Sequence, residues 1–538
     1  MMDNLTRELT GYNLYTTDLA LQEGVCRAGA GAHEAELEAY GALLGSESTI
    51  RLAEEANHHK PELHTFDRQG RRIDRVEFHP AWHGMMRMAR EHGMITQPFA
   101  DDRPGAWAAY AAAFSMHHQI ESGSQCPHSM TLASVPVLCQ DPELFEALAP
   151  KLFSRRYDPR DIPLEQKDSI LIGMGMTEKQ GGSDLRSNTT RAEPVAGGYQ
   201  LTGHKWFLSA PMCDAHLVLA RTDGGLSCFF VPRYRPDGSK NAVQIQRLKD
   251  KIGNRSNASS EVEFHGAWGR MVGKEGRGIP TIIEMANITR LNCVMGAASL
   301  MRQCVTQAIH HTRQRHAFGK RLVEQPLMQN VLADMALESE AATQLMLRMA
   351  EAFERDDSPL ERAYQRIVTP AGKLWTTKRS IELSAEAMEV FGGNGYMDEG
   401  PMGRLYRETP VLSIWEGSGN VMALDLLRAI AREPEAMLAL RDDLRQGCTG
   451  DAVLRPHLDA LDALLAPSAD PYLQEAQARR HAQLLATLIQ ARLLRERAPS
   501  VVADAFITSR FDHGHGRIYG TLPASAALPA IIDRAWPV

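Results

Sequence analysis

Residues Gly173–Asn188 read GMGMTEKQGGSDLRSN, and across this stretch the texture of the chain changes from helical to β. Two adjacent glycines, Gly181 and Gly182, precede Ser183 and Asp184. That combination lets the backbone approach a ligand closely and offers it a hydroxyl and amide N–H groups. A polar loop leading into a β domain explains the same residues without a ligand. The stretch is not a dinucleotide fingerprint, because Gly173-Met174-Gly175 lacks the third glycine of GxGxxG and does not open a helix.

On the N-terminal side, residues 1 to 168 are rich in Ala, Glu, Leu and Met. Their apolar positions recur every three and four residues, as in 34–56 and 107–121, and predict helices. The first thirty residues show little periodicity and read as an arm that docks onto something else. On the other side, short alternating or continuously apolar runs occupy 199–208, 216–221, 226–231, 243–248 and 261–264. Asp223, Gly224 and Gly225 form a hairpin turn between two of them. From Gly276 helical periodicity returns in two long candidates, 280–315 and 326–355, which suggest a bundle. A further change near Glu433 and Pro434 opens a segment rich in Ala, Leu and Arg, helical at 452–465 and 472–498. The expected fold is α+β and mostly α: an N-terminal arm and helical domain (1–169), a central antiparallel, barrel-like β domain (170–270), a helical bundle (271–435) and an extra C-terminal helical domain (436–538).

At 538 residues, 43% hydrophobic and 23% charged, the chain is neither a disulfide mini-protein nor collagen-like nor disordered. A mean hydropathy of -0.30 argues against a membrane span, as does the lack of an apolar run of about 18 residues. The opening MMDNLTRELTGYNLY carries no secretory signal. Cys26, Cys126, Cys139, Cys213, Cys228, Cys293, Cys304 and Cys448 form no CxxC and read as reduced core residues of a cytoplasmic protein. No metal site is expected; His513 and His515 in DHGHGR read as a loop. The net charge of -7 gives no overall support to nucleic-acid binding.

Four further motifs carry chemistry. Lys205–Ser209, KWFLS, ends a candidate strand with two aromatics and a hydroxyl; these are either core aromatics or a wall for a flat heteroaromatic ring. RQRHAFGKRL, 313–322, ends the first long helix with basic residues that suit the helix dipole and, at Arg315 beside Phe318 and Gly319, also suit a phosphate clamp. EVFGGNGY, 389–396, breaks a helix with three glycines, more than a C-cap needs. IWEGSGN, 414–420, puts Glu416 between Trp415 and Gly417, just before an amphipathic helix capped by Ser418 or Asn420. A carboxylate in that setting is either a capping group or a partly desolvated general base.

In this order and at these separations, the five motifs resemble those of the acyl-CoA dehydrogenase family of flavoproteins, over residues 70 to 432. MTEKQGGSD is similar to the family's TEP-GAGSD loop, GHKWFLS to its GxKxWIT strand, RQRHAFGKRL to its ERxxFGxxL turn, and EVFGGNGYMDEGPMGRLYRE to its second signature. IWEGSGN is similar to its YEGTSxxQ catalytic segment. The N-terminal arm, the wording of LYRETPVLSIWEGSGN and the C-terminal extension resemble the AidB branch, flavoproteins linked to the bacterial response to DNA alkylation.

The resemblance implies an acyl-CoA dehydrogenase-like fold and FAD as cofactor. Met176, Thr177, Gly182 and Ser183 would contact the flavin, with Ser183 near the pyrophosphate; Phe207, Leu208 and Ser209 would cover the isoalloxazine. Arg315, Phe318, Glu389, Gly392 and Gly393 would hold the FAD of a neighbouring subunit, and Ile414, Trp415, Gly417, Ser418 and Asn420 would touch the cofactor beside the base. Glu416 would remove the α-proton of an acyl thioester while a β-hydrogen leaves as hydride to the flavin, with Ser183 and Arg290 also near substrate. A homo-oligomer with FAD at subunit interfaces, usually a tetramer, follows, with electron-transferring flavoprotein as acceptor. The implied substrate is a short or branched acyl-CoA such as isovaleryl-CoA.

Two departures matter. Isovaleryl-CoA dehydrogenases place the base on the helix that here reads NITRLNCVMG, where this chain has Thr289 beside Arg290, so Glu416 is the aligned candidate. Glu389 stands where the family commonly has Gln, and a carboxylate near a pyrophosphate needs a partner. The branch also implies double-stranded DNA as a partner of the extension. From Met437 onward, however, 11 Arg face 11 Asp plus Glu with no Lys, where a duplex-binding domain shows a basic excess. Arg479, Arg480, Arg492, Arg495 and Arg497 share one candidate helix as either a solvated face or a phosphate-binding one.

Overall fold

The computed structural model describes residues 4–95, 97–355, 357–448, 450–465, 471–512, 522 and 525–536; His513 and His515 lie outside them. The protein is mostly helical, with its main sheet formed by the middle of the sequence. It divides into two compact units, Arg51–Asp102 with Glu121–Thr289, and Met1–Ile50 with Arg103–Ile120 and Arg290–Val538. The N-terminal 169 residues are thereby shared between the units, and the C-terminal extension belongs with the bundle.

In the first unit, Arg191–Val195, Gly198–Ser209, Ser259–Val272, Gly225–Pro232 and Ala215–Thr222 pair in succession. The last returns to the first at Arg191 and Arg221, closing a small barrel to which Ile172–Gly175 and Val243–Leu248 are added. The expected all-antiparallel pairing needs correcting, since Ile172–Gly175 and Arg191–Val195 run parallel to Ala215–Thr222. Asp223 and Gly224 make the two-residue turn of an antiparallel hairpin closed at Thr222 and Gly225. Leu201, Leu208, Val218, Phe229, Ile245, Val262 and Phe264 fill the barrel, each contributing about 1.5–3 kcal/mol of burial.

The all-helical expectation for the N-terminal region also needs correction. Glu62–Phe66 and Arg72–Glu77 form an antiparallel hairpin, whose charged, half-exposed strands resemble helix surface in composition. The stretch 34–56 is two helices, Glu34–Leu44 and Glu47–His58, broken at Gly45, where a Cβ would lie 1.6 Å from the Tyr12 carbonyl. All eight cysteines are free; six are buried, but Cys26 and Cys139, near helix C-termini, are exposed rather than core.

The second unit is built on Gly278–Gln314, whose residues from Arg290 belong to it, with Pro326–Glu354, Thr369–Val390, Pro401–Ile414 and Gly419–Arg432. The extension is tied to Pro326–Glu354 by buried ion pairs: Arg497 with Glu351 at 2.6 Å, Arg510 with Asp334 at 2.7 Å and Glu338 at 3.1 Å, and Arg534 with Glu340 at 2.9 Å. The N-terminal arm docks on the same unit. Asn4 exchanges side-chain hydrogen bonds with the backbone of His316, Thr6 Oγ1 meets His311 Nδ1 at 2.7 Å, and the Arg7 amide donates to Gln314 Oε1.

Candidate active site

The candidate residues fall into one set on the barrel and two on the helical unit. On the barrel, Gly198–Ser209 has a bulge against Ser259–Val272, because Lys205 pairs with Val262 while Leu208 pairs with Ser260. The extra residue re-aims the strand. Trp206 and Phe207 turn outward, Phe207 to 50% exposure, while Leu208 enters the barrel core. Leu208 is thus corrected from a ring-covering side chain to a core one that can offer a ligand its backbone. Lys249 Nζ lies 3.8 Å from the Trp206 ring centroid and 4.3 Å from that of Phe207, so the wall carries positive charge.

The loop bearing Met176, Thr177, Gly182 and Ser183 is pinned to this strand by a buried ion pair. Lys205 Nζ reaches Glu178 Oε1 at 2.7 Å and the Leu219 carbonyl at 2.8 Å. Glu178 also accepts from the Thr189 and Thr190 amides, and the Trp206 amide donates to the Thr177 carbonyl at 2.8 Å. Burial alone would raise the Glu178 carboxyl; the charge and hydrogen bond of Lys205 and the donors of Thr189 and Thr190 outweigh it and bring it down to about 2. Gly182 approaches so closely that a Cβ there would lie 2.4 Å from Thr177 Oγ1, while Ser183 is exposed. Sequence reasoning missed this pair, although Glu178 and Lys205 lie inside the two motifs it singled out.

On the helical unit, His316–Ala317 and Lys320–Arg321 pair across a turn in which Phe318 (φ 53°) and Gly319 (φ 80°) are both left-handed. Those signs are the requirement of a type I′ turn. Phe318 is held 97% exposed at its tip. Arg315 donates to the Asn4 carbonyl at 2.5 Å. His311 stacks on Phe391 with ring centroids 4.3 Å apart, bringing this turn to the glycine loop. Burial, aided by Arg315 and His310, holds the His311 imidazolium down to about 4, so the ring is neutral. Glu389 is exposed; burial first, then its charge, raises the Glu386 carboxyl. Gly392 needs its φ of 61°, but Gly393 has ordinary φ and nothing within 4 Å of a Cβ, so the chain itself does not demand a glycine there.

The third set lies at the other end of Thr369–Val390, about 25 Å away at 1.5 Å per residue. Pro401–Ile414 stops at Trp415, and Gly419–Arg432 begins after Ser418, which occupies the N-cap position without a side-chain cap bond. Ile414 is 64% exposed, Ser418 and Asn420 are exposed, and Trp415 and Glu416 are half-buried. Glu416 has φ 57°, left-handed for a residue with a Cβ, at a cost of about 1–3 kcal/mol. Gly417, at φ 101°, is in a conformation that strains any residue with a Cβ, and a Cβ there would also push on Met422 Cε at 2.6 Å.

Two buried cations hold this link. Lys373 Nζ donates to the Trp415 carbonyl at 2.7 Å and the Gly417 carbonyl at 2.5 Å. Arg290 Nε donates to the Glu416 carbonyl at 3.1 Å, and its Nη1 to Asp425 Oδ2 at 2.8 Å. Arg290, expected near substrate, is thus engaged with the backbone carbonyl of the base and with Asp425. Lys373 was missed; the signal was a lysine on an otherwise buried helix face. Its helix is entered through a π turn, Tyr364–Val368, whose Tyr364 carbonyl accepts from Thr369 Oγ1.

Of the five extension arginines, three are corrected from DNA contacts to internal partners. Arg492 pairs with Asp443 and Glu496, Arg495 with Asp451 and Asp504, and buried Arg497 with Glu351. Arg479 and Arg480 remain exposed, Arg479 over Gly419, where a Cβ would lie 2.8 Å from its Nη2. Among the described residues no cluster of three or more His, Cys, Asp or Glu could hold a metal ion, and no helix is long and apolar enough to cross a membrane.

A β barrel with an outward aromatic at a bulge, and helices that present a carboxylate on a clamped link, define an acyl-CoA dehydrogenase-type flavoprotein. Family models bear this out: the acyl-CoA dehydrogenase middle domain matches 173–267, the acyl-CoA dehydrogenase C-terminal domain 276–431, and the adaptive response protein AidB N-terminal domain 4–159. AidB of Escherichia coli (strain K12) is 51% identical over 430 residues, 79% of each chain. The Caenorhabditis elegans protein ACDH-11, solved with C11-CoA, superposes with a TM-score of 0.86 at 26% identity over 99% of this chain and 93% of that one. Butyryl-CoA dehydrogenase of Megasphaera elsdenii, at 20% identity, shares the fold with a TM-score of 0.58 over 77% of this chain and 98% of its own.

The chain belongs to the acyl-CoA dehydrogenase family, in its AidB branch. It is an oxidoreductase of that family, whose cofactor is FAD. The donor set fits the cofactor: an outward aromatic, a close-approach glycine beside a hydroxyl, a basic turn and an open glycine loop. Gly393→Ala is expected to change stability by no more than about 0.5 kcal/mol, yet to weaken FAD retention roughly tenfold, a loss of about 1.4 kcal/mol. Flavin content after gel filtration beside a thermal melt checks both.

Proposed function

We propose that this chain carries out FAD-dependent α,β-dehydrogenation of an acyl-CoA, with Glu416 as the base. The observation that carries the reading is Glu416 itself, a carboxylate forced into a left-handed conformation on a link whose three successive carbonyls are held by buried cations. Bound FAD supplies the acceptor for the hydride that leaves the β-carbon. The Glu416 carboxylate takes the α-proton, and its amide N–H polarises the thioester carbonyl, which acidifies that proton. Met176, Thr177, Gly182, Ser183, Phe207 and Ser209 hold the flavin, with Ile414, Trp415, Gly417, Ser418 and Asn420 around the base. The turn at Arg315 and Phe318, with Glu389, Gly392 and Gly393, serves the cofactor of a second copy. Full exposure of Phe318 and the distance of this turn from Glu416 support that assignment and a homo-oligomer, a tetramer on the family's pattern. Electron-transferring flavoprotein is the proposed acceptor, and eight free thiols suit a cytoplasmic location.

The substrate class is tested with a panel from isovaleryl-CoA and butyryl-CoA to C11-CoA, added anaerobically to the yellow protein. Bleaching by at least one member supports the reading, and bleaching by none contradicts it.

A DNA-binding role in the alkylation response rests on Arg479 and Arg480, the two arginines of the candidate helix left exposed and without a carboxylate partner among the described residues. Such binding is expected to be weak and to vanish in the Arg479→Gln/Arg480→Gln variant. Retention on duplex DNA at low salt measures it, and equal retention by both proteins contradicts the assignment.

A further inference from the structure

The carbonyls of Trp415, Glu416 and Gly417 are consecutive, and each accepts from a side chain that is itself nearly inaccessible: Lys373 is 1% and Arg290 6% exposed. The two cations come from different helices, and each is more than forty residues away in sequence from the link. A helix end with orphan carbonyls is ordinarily satisfied by water or by a local cap. Here two charges have been buried for the purpose, at a desolvation cost of several kcal/mol per ion.

The charges are not equivalent. Arg290 is neutralised by Asp425 at 2.8 Å. Lys373 makes its two hydrogen bonds to carbonyls alone. The titratable groups that face it are Cys293 and Arg290 of Gly278–Gln314, Glu416 of the link, and Lys378 of its own helix. Cys293 is no counter-charge, because burial pushes its thiol up to about 12. Burial also draws the Lys373 ammonium below its usual range, against the opposing pull of Cys293 and Glu416. Glu416 is the carboxylate among these groups, and Lys373 Nζ bonds the carbonyls on both sides of it.

Building on the reading of Glu416 as base, we propose that Lys373 and Arg290 are its positioning residues, Arg290 holding the carbonyl of the base itself and Lys373 holding the carbonyls on either side of it, which sets an ammonium beside the base. The substrate proton is transferred to a group whose backbone cannot relax, and the ammonium favours the anion needed before transfer.

The sign of the pH effect follows. A nearby cation lowers a carboxyl pKa, so removing it raises that pKa and moves the acid limb of the kcat/KM profile to higher pH. Lys373→Met is expected to move the limb up by about one pH unit and to lower kcat roughly tenfold, with KM and flavin content unchanged. Lys373→Gln, which keeps donors for the carbonyls but no charge, moves the limb with a smaller loss of kcat, and provides the test if the Met variant does not fold. Arg290→Lys, which keeps charge but loses the planar fork, lowers kcat without moving the limb. Lys373→Arg restores the parental profile.

If the limb stays in place in both neutral variants while only thermal stability falls, the clamp is merely structural and the inference is wrong. Glu416→Gln, assayed beside them, separates the two levels. If it retains activity, the base assignment itself has failed; if it is inactive while the Lys373 variants keep the parental profile, only the positioning role has failed.

Discussion

Glu416→Gln is expected to slow flavin bleaching by acyl-CoA about 10³-fold, with flavin content and thermal midpoint unaltered. Gln has the size of Glu and keeps the backbone carbonyl that Arg290 holds at 3.1 Å, so the link has no reason to move. It cannot accept the α-proton. The position to which the alternative base of the family maps is Thr289, whose hydroxyl bonds back to the Met285 and Ala286 carbonyls. A variant within threefold of the parent rate would show that proton removal does not depend on this carboxylate.

The largest structural effect is expected at Lys205. Both members of its pair with Glu178 are 0% exposed, and breaking such a pair by removing one partner costs about 3–5 kcal/mol, because the remaining charge stays buried. Lys205→Met is therefore expected to lower the stability of the barrel by that amount and to strip flavin, since the loop 176–183 hangs on Glu178. Glu178→Gln/Lys205→Met, which leaves no buried charge, recovers more than half of the loss. The pH dependence has a defined sign. The folded-state pKa of Glu178, about 2, lies below its ordinary 4.5. Its contribution is therefore complete above 4.5 and lost as pH falls from there towards 2, a loss absent from the double variant. Urea unfolding followed by tryptophan fluorescence at two pH values measures all three proteins; a single variant within about 1 kcal/mol of the parent would contradict the pair's role.

What the sequence shows and what it hides follow from how local each feature is. The hairpin at Asp223 and Gly224 is legible because a two-residue turn is written in those residues. The bulge that sends Phe207 outward and Leu208 inward is not, because it depends on how Lys205 and Leu208 pair with a strand more than fifty residues on. The helix N-cap could be narrowed to Ser418 or Asn420, but the left-handed φ of Glu416 could not be read, and the cations that hold its link stand far off in sequence at positions 290 and 373. Arginine spacing marked a basic helix face in the extension, yet Arg492, Arg495 and Arg497 spend their charges on Asp443, Asp451 and Glu351, carboxylates that tertiary packing alone brings into reach. The arm's lack of periodicity did suggest docking; its partner, the turn at Arg315, could be found only in the folded chain.

The most direct test of Glu416 as the base follows the proton rather than the flavin. The flavin-loaded protein is incubated anaerobically in deuterated water with each acyl-CoA of the panel in turn, and deuterium at the α-carbon is measured by mass spectrometry. Exchange by the parent protein that disappears in Glu416→Gln is the predicted result; no exchange by the parent, or equal exchange by both proteins, would contradict the account.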